Sequence, residues 1–153
     1  MEPAVSAATL ITALAGLVLP ACLGGGWWLG GRADLARVTL TGDSVRIVPW
    51  GVLRLLSFRR ELVLDLSQVA SVSVALCAEL PPAGLRSPGL AVPGLRAGTY
   101  RCPEATSYWL VGRAARAVRI DAAGGPVDYV LLQVRDPEAL AARLGAGRAL
   151  RPA

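Results

Sequence analysis

One uncharged stretch near the N-terminus constrains the fold of this chain more than any other feature. From Pro3 to Gly31 the sequence contains no charged residue, and Arg32 ends the run. A helix needs about 20 apolar residues to cross roughly 30 Å of hydrocarbon. Val5 to Leu29 satisfies this requirement. The pattern predicts one transmembrane helix within residues 1–31, followed by a domain that is tethered to a bilayer.

Aromatic and basic residues border the end of this run. Trp27 and Trp28 lie at its end, and Arg32 and Arg37 follow closely. Indole rings favour the headgroup layer, and basic residues are retained on the cytoplasmic side of a membrane. No basic residue precedes the run. These four residues are predicted to mark the membrane interface of a single-pass protein of the cell membrane, with its domain in the cytoplasm.

This N-terminus partly resembles two processing signals, a cleaved signal peptide and a bacterial lipobox. A cleaved signal peptide has a basic n-region and a shorter apolar core, whereas residues 1–3 are Met-Glu-Pro. Residues 19–22 resemble a lipobox that ends at Cys22, but Pro20 fits that pattern poorly. We interpret Cys22 as a small apolar residue within a helix. Whether the segment is cleaved stays open.

The remainder of the chain has the length of one ordinary domain. Residues 32–145 are predicted to form it, and residues 146–153 to form a flexible tail. All sixteen basic residues are arginines that follow residue 31, against ten acids, so this part has a formal charge of +6. Arg54, Arg59 and Arg60 form a candidate basic patch, interpreted first as solubilising surface and alternatively as an anionic-lipid contact. Nucleic-acid binding is not predicted, because few aromatic residues alternate with the arginines.

The residue types of most catalytic centres are missing. The chain has no His and no Lys, and its three Cys form no CxxC pair. A His-based triad, His metal ligation and a lysine Schiff base are therefore excluded. The sequence predicts a non-enzymatic protein without a metal or another cofactor.

A hydrophobic period of two predicts a mainly β domain. Apolar and polar residues alternate on both sides of Gly42-Asp43, which predicts a hairpin. About eight short strands are expected, a number that suits a small barrel or a strongly curved antiparallel sheet. They are residues 37–41, 44–48, 62–65, 71–76, 98–101, 107–111, 117–120 and 128–134.

One helix is predicted at the C-terminal end of the domain. Asp136 can accept hydrogen bonds from free N–H groups at the start of a helix, and Pro137 suits the first helical position. Gly145 is a natural stop, because glycine readily adopts the left-handed conformation that ends helices.

Residues 80–101 are rich in proline and glycine. Such a composition predicts neither a regular strand nor a regular helix, and its leucines favour an ordered, packed loop. This segment is the candidate partner-binding or structural loop. Its key residues are Arg86, Gly89, Pro93, Gly94, Gly98 and Tyr100.

Three phrases resemble the bacterial pleckstrin-homology-like (PH-like) domains of small membrane-anchored proteins. They are the corner at Leu64 to Val72, the Arg/Gly/Pro/Tyr phrase of residues 86–100, and Arg-Asp-Pro-Glu-Ala-Leu at Arg135 to Leu140. The resemblance implies a curved sheet or small barrel closed by a C-terminal helix. It implies no reaction.

Two functions of different classes remain open. The favoured one is a membrane-anchored interaction or scaffold module that binds a protein partner at the cytoplasmic face. The alternative is an exported or lipidated domain that binds a small molecule or lipid. Small residues recur at multiples of four positions at Ala8, Thr12, Gly16 and Gly24. This spacing permits close helix contact and leaves homo-oligomerisation open.

Overall fold

A computed structural model of the protein describes residues 7–149, except the side chains of residues 7–15, 17, 19, 22 and 148. The start of the predicted N-terminal helix at Val5, the side chain of Cys22 and residues 150–153 of the predicted tail therefore lie outside the described part. The helices are α1 (Ala7–Gly30), α2 (Leu53–Leu56) and α3 (Pro137–Ala149). The strands are β1 (Ala36–Thr41), β2 (Ser44–Pro49), β3 (Leu62–Asp65), β4 (Val69–Leu76), β5 (Leu85–Val92), β6 (Leu95–Cys102), β7 (Ala105–Val111), β8 (Arg116–Ala122) and β9 (Tyr129–Leu132).

The predicted N-terminal helix is present as α1, which has 24 residues and contains Pro20. Within the described part of the chain, no helix meets the length and hydropathy that a membrane span requires.

The first three strands form an antiparallel sheet in the order β1-β2-β3. Thr41 pairs with Ser44 across the turn, and Gly42 has a φ of +53°. Since an L side chain is strained at such a φ, glycine suits this position. The predicted hairpin is confirmed.

The other six strands form a second sheet in the order β4-β8-β9-β7-β6-β5. All its neighbours are antiparallel except β7 and β9, which run parallel, with Tyr108 opposite Val130. The mainly β prediction is confirmed. The closed barrel is not found among residues 7–149, because their strands divide into two separate sheets. The prediction of a purely antiparallel sheet is also wrong, since β9 lies between β8 and β7 and runs parallel to β7.

The second sheet is buried on both faces at its centre. Along β7, Tyr108 and Leu110 belong to the larger core, whereas Trp109 and Val111 belong to a smaller core. Successive strand residues point to opposite faces, which explains this division. The larger core also contains apolar residues of the first sheet and Leu144 of α3. The second sheet therefore packs into a hydrophobic core on each of its faces.

The proline- and glycine-rich segment is not an irregular loop. It forms the β5–β6 hairpin, whose turn contains Pro93 and Gly94. The pairing register shifts between Arg86 and Gly89, so a bulge accommodates Pro88. Because β5 is the outermost strand of its sheet, Pro88 can lack a donor without breaking a ladder on the open side.

The C-terminal helix begins as predicted and ends later than predicted. The N–H of Ala139 donates to Oδ1 of Asp136 at 2.9 Å, which confirms the predicted cap. The helix continues through Gly145 to Ala149. A glycine within a helix costs about 1 kcal/mol relative to alanine, too little to end it when neighbouring residues pack.

Replacing the cap gives a modest, measurable loss. We expect Asp136→Ala to lower the free energy of unfolding by about 1 kcal/mol, because one N–H loses its acceptor. Chemical denaturation followed by circular dichroism measures this change. Glu104→Ala, which removes a carboxylate from the exposed turn between β6 and β7, is the control. Equal midpoints for the two variants would contradict the capping role.

Candidate functional site

The end of α1 is hydrogen-bonded to the β domain through one buried side chain. Gln133 is 2% exposed. Its Nε2 donates to the carbonyl oxygens of Gly30 at 3.1 Å and Arg32 at 2.6 Å. Its Oε1 accepts from the N–H groups of Gly112 at 2.8 Å and Ala114 at 3.1 Å. One amide thus joins the last residues of the helix to the loop after β7. We call this region the helix–domain junction.

Three glycines let the backbones approach closely at the junction. A Cβ on Gly112 would lie 2.5 Å from the Cα and 2.7 Å from the carbonyl carbon of Gly30. A Cβ on Gly30 would overlap the backbone of Gly94. The Arg113 N–H also donates to the Gly30 carbonyl at 2.8 Å. Any side chain at Gly30 or Gly112 would therefore push the helix away from the domain.

The β5–β6 turn contacts the end of α1. The Arg113 guanidinium lies 3.8 Å from the centre of the Trp27 ring. A Cβ on Gly94, whose φ is +82°, would be 3.3 Å from both side chains. Trp27 was predicted to mark the membrane interface, and Gly94 to belong to the candidate loop. The structure brings the two residues into one cluster.

A second contact joins α1 to the first sheet. The Arg32 guanidinium lies 3.6 Å from the centre of the Trp50 ring and 5.3 Å from that of Trp28. Such cation–π contacts contribute about 0.5–1 kcal/mol at exposed sites. We call Trp28, Arg32 and Trp50 the aromatic–arginine stack. It places the start of the β2–β3 connection beside the end of α1.

A groove lies between β1 and α3, with a volume of about 720 Å³. The predicted interface residues Arg32 and Arg37 line it, together with Arg143 and the apolar residues Val38 and Leu140. Its two acids are Asp34 and Asp136. Asp34 pairs with Arg135, and Asp136 caps α3.

The other residues of the predicted loop have structural positions in the hairpin. Gly89 and Gly98 face each other across β5 and β6, and a Cβ on Gly89 would be 2.7 Å from the Gly98 Cα. Tyr100 is buried, donates to the Leu90 carbonyl at 3.2 Å and contacts Trp109 edge to face. Burial raises the pKa of its hydroxyl.

Arg86 and Pro93 complete the predicted set. Arg86 is exposed on β5, opposite Tyr100, and Pro93 lies in the turn that contacts α1. The packing contacts of these six residues explain why glycine, proline and tyrosine occur in this segment. A partner-binding role stays a prediction.

The arginines near β8 do not form a joint patch. Arg113 contacts Trp27, Arg116 pairs with Glu138, and Arg119 pairs with Asp121 at 2.7 Å. Each positive charge therefore has its own partner. Arg113 lies in the loop after β7, whereas Arg116 and Arg119 lie on β8.

The described residues offer little reactive chemistry. Asp121 accepts from Ser71 and Asp128 accepts from the Thr106 N–H, so both carboxylates have structural partners. Burial raises the pKa of the Cys77 thiol, which disfavours the nucleophilic thiolate. Within residues 7–149 no three His, Cys, Asp or Glu side chains are grouped to hold a metal ion.

Sequence reasoning missed the two residues that organise this site. Gln133 follows an apolar strand as a single polar residue, which is a signal for a buried hydrogen-bonding group. Trp50 follows the predicted second strand, but no local pattern indicates its contact with Arg32. Gln133 and Trp50 are both far in sequence from the residues at the end of α1 that they contact.

Comparison with known proteins gave no relative: no protein-family model, no curated protein and no solved structure matches this chain.

Proposed function

We propose that this protein is a non-enzymatic, membrane-anchored interaction module with a PH-like domain at the cytoplasmic face of the cell membrane. The helix–domain junction is the observation that carries this proposal. Gln133, Arg113 and the close-packed glycines attach the last turn of α1 directly to the second sheet. A domain attached in this way keeps one orientation relative to its helix.

A fixed orientation suits presentation of a binding surface to a protein partner. A flexible linker would let the domain sample many orientations, and ordering it on binding would cost entropy. Here only residues 31–35 separate α1 from β1, and the Leu35 N–H donates to the backbone carbonyl of Gln133 at 3.1 Å. The anchor itself is supported by the uncharged run before Arg32 and by its Trp and Arg border.

The groove between β1 and α3 supports the second candidate function. Its volume of about 720 Å³ is in the range of small-molecule sites. Arg32, Arg37 and Arg143 beside Val38 and Leu140 suit an anionic ligand with an apolar part. In that case the chain is an exported or lipidated ligand-binding domain.

A topology experiment separates these two functions. In a bacterial host, we expect green fluorescent protein fused after Ala153 to fluoresce and alkaline phosphatase at the same position to be inactive. Green fluorescent protein reports the cytoplasm, whereas the phosphatase reports the exported side. Active phosphatase, or an N-terminus that begins at Cys22, would overturn the favoured function. Recovery of the chain in the membrane fraction after carbonate washing checks the anchor.

A further inference from the structure

The β2–β3 connection, residues 50–60, exposes apolar side chains beside arginines. Leu55 and Phe58 are each 72% exposed, and Val52 is 45% exposed. Leu53 points the other way and is fully buried, which fixes the short helix α2 against the core. The exposed side chains are therefore held outward on an ordered segment. An exposed cluster of large apolar residues on an ordered segment indicates a contact surface.

The backbone at Phe58 supports this interpretation. Its φ is +53°, and it is the one non-glycine residue of the described chain with a positive φ. A bulky residue in this region is strained, and strain of this kind persists where the surrounding structure imposes it. Ser57, on the preceding position, is buried and donates to the Arg59 carbonyl at 3.2 Å. The strained position directs the Phe58 ring into solvent.

The charge of the segment has one sign. It contains Arg54, Arg59 and Arg60 and no acid. The acid that follows, Glu61, pairs with Arg46 at 3.6 Å. Arg54 donates to the Pro49 carbonyl, and Arg59 lies 5.9 Å from the Tyr108 ring centre. Neither contact neutralises a guanidinium.

The position of the segment relates it to α1. Its first residue, Trp50, belongs to the aromatic–arginine stack with Arg32 and Trp28. Trp28 is 65% exposed at the end of the apolar helix. The surface thus extends from the end of the helix to the β2–β3 connection.

We propose that residues 50–60 form a second membrane contact, which binds a bilayer surface rich in anionic lipid. Arg54, Arg59 and Arg60 pair with anionic headgroups, and Val52, Leu55 and Phe58 enter the boundary between headgroups and acyl chains. The inference rests on the proposed anchoring of α1. Charge complementarity favours lipid, because three arginines without an acid match an anionic surface and the neighbouring helix is uncharged.

The test uses the full chain in lipid nanodiscs of two compositions, phosphatidylcholine alone and a mixture with about 30% phosphatidylglycerol. Hydrogen–deuterium exchange with mass spectrometry measures the amides of residues 50–60. We expect exchange there to slow about tenfold in the anionic discs relative to the neutral discs, and to recover at high salt. Exchange in β7 and β9 should be the same in both.

Two matched double variants distinguish a local contact from a general charge effect. Arg59→Glu with Arg60→Glu should abolish the lipid-dependent protection. Arg86→Glu with Arg101→Glu makes the same charge change at the open end of the β5–β6 hairpin, away from the turn that contacts α1, and should leave the protection intact. Unchanged exchange in β7 verifies that each variant is folded.

The outcomes separate the two proposals. A chain that co-elutes with both discs without protection of residues 50–60 overturns the lipid contact and leaves the anchor standing. A chain that does not co-elute with either disc overturns both. Equal protection in neutral and anionic discs overturns the assignment to anionic lipid.

Discussion

Replacing Gln133 with leucine is expected to lower the free energy of unfolding by about 3–5 kcal/mol. Leucine has a similar volume, so the effect comes from lost hydrogen bonds and not from a cavity. The N–H groups of Gly112 and Ala114 and the carbonyl of Arg32 would lose the partner described above. These three bonds are partly buried, so each backbone group left without a partner costs about 1 kcal/mol or somewhat more. The Gly30 carbonyl keeps the Arg113 N–H.

The same substitution at Gln68 is the control for this prediction. Gln68 also bonds two backbone groups, the N–H of Asp65 and the carbonyl of Gly124, both at 3.3 Å. These groups lie at the surface, where water replaces the side chain, so Gln68→Leu should cost less than about 1 kcal/mol. Denaturant unfolding of the full chain in mild detergent, followed by tryptophan fluorescence, measures both. Similar losses for the two variants would show that the Gln133 amide does not hold the junction.

A single methyl group at Gly112 should detach α1 from the domain. We expect Gly112→Ala to destabilise the folded chain by about 3 kcal/mol, the upper end of the usual range for overpacking. The new Cβ would meet the Gly30 backbone, which cannot move aside as a flexible side chain can. Separation of the helix relieves this overlap and breaks the bond from the Arg113 N–H to Gly30. Faster amide exchange at Arg113 would therefore accompany the loss of stability.

Gly145→Ala is the matched control. Gly145 lies within α3, and among the described residues no atom outside its own helix is within 4 Å of the position of its Cβ. Alanine there should stabilise the chain by about 0.5–1 kcal/mol, since glycine is the poorer helix former. Opposite signs for the two variants are the expected result. Stabilisation by both would mean that the junction can adjust to a side chain at Gly112.

The elements that the sequence predicted correctly depend on neighbouring residues. The β1–β2 hairpin follows from alternation on both sides of Gly42-Asp43, and α3 begins where Asp136 and Pro137 favour a helix start. The N-terminal helix follows from its apolar run. In each case the decisive residues belong to one continuous segment of the chain.

The errors arose where partners in the fold override local preference. Proline and glycine in residues 80–101 argued against strands, yet β5 forms because it is an edge strand with a bulge at Pro88. Gly145 did not end α3, which continues to Ala149. The neighbouring Leu144 is fully buried in the core, and this packing offsets the small cost of a glycine within the helix. The barrel prediction counted strands, but a strand count does not determine how strands divide between sheets.

The candidate site shows the same limit most clearly. The sequence by itself determined that an apolar helix precedes a basic, mainly β domain, and that Trp27, Trp28 and Arg32 lie where the helix ends. Only the tertiary structure decided that Gln133 bonds Gly30, about a hundred residues earlier, and that Arg32 lies against Trp50. Periodicity and capping report the preferences of a short segment, whereas contacts between distant residues depend on which strands pair. That pairing is a property of the whole folded chain.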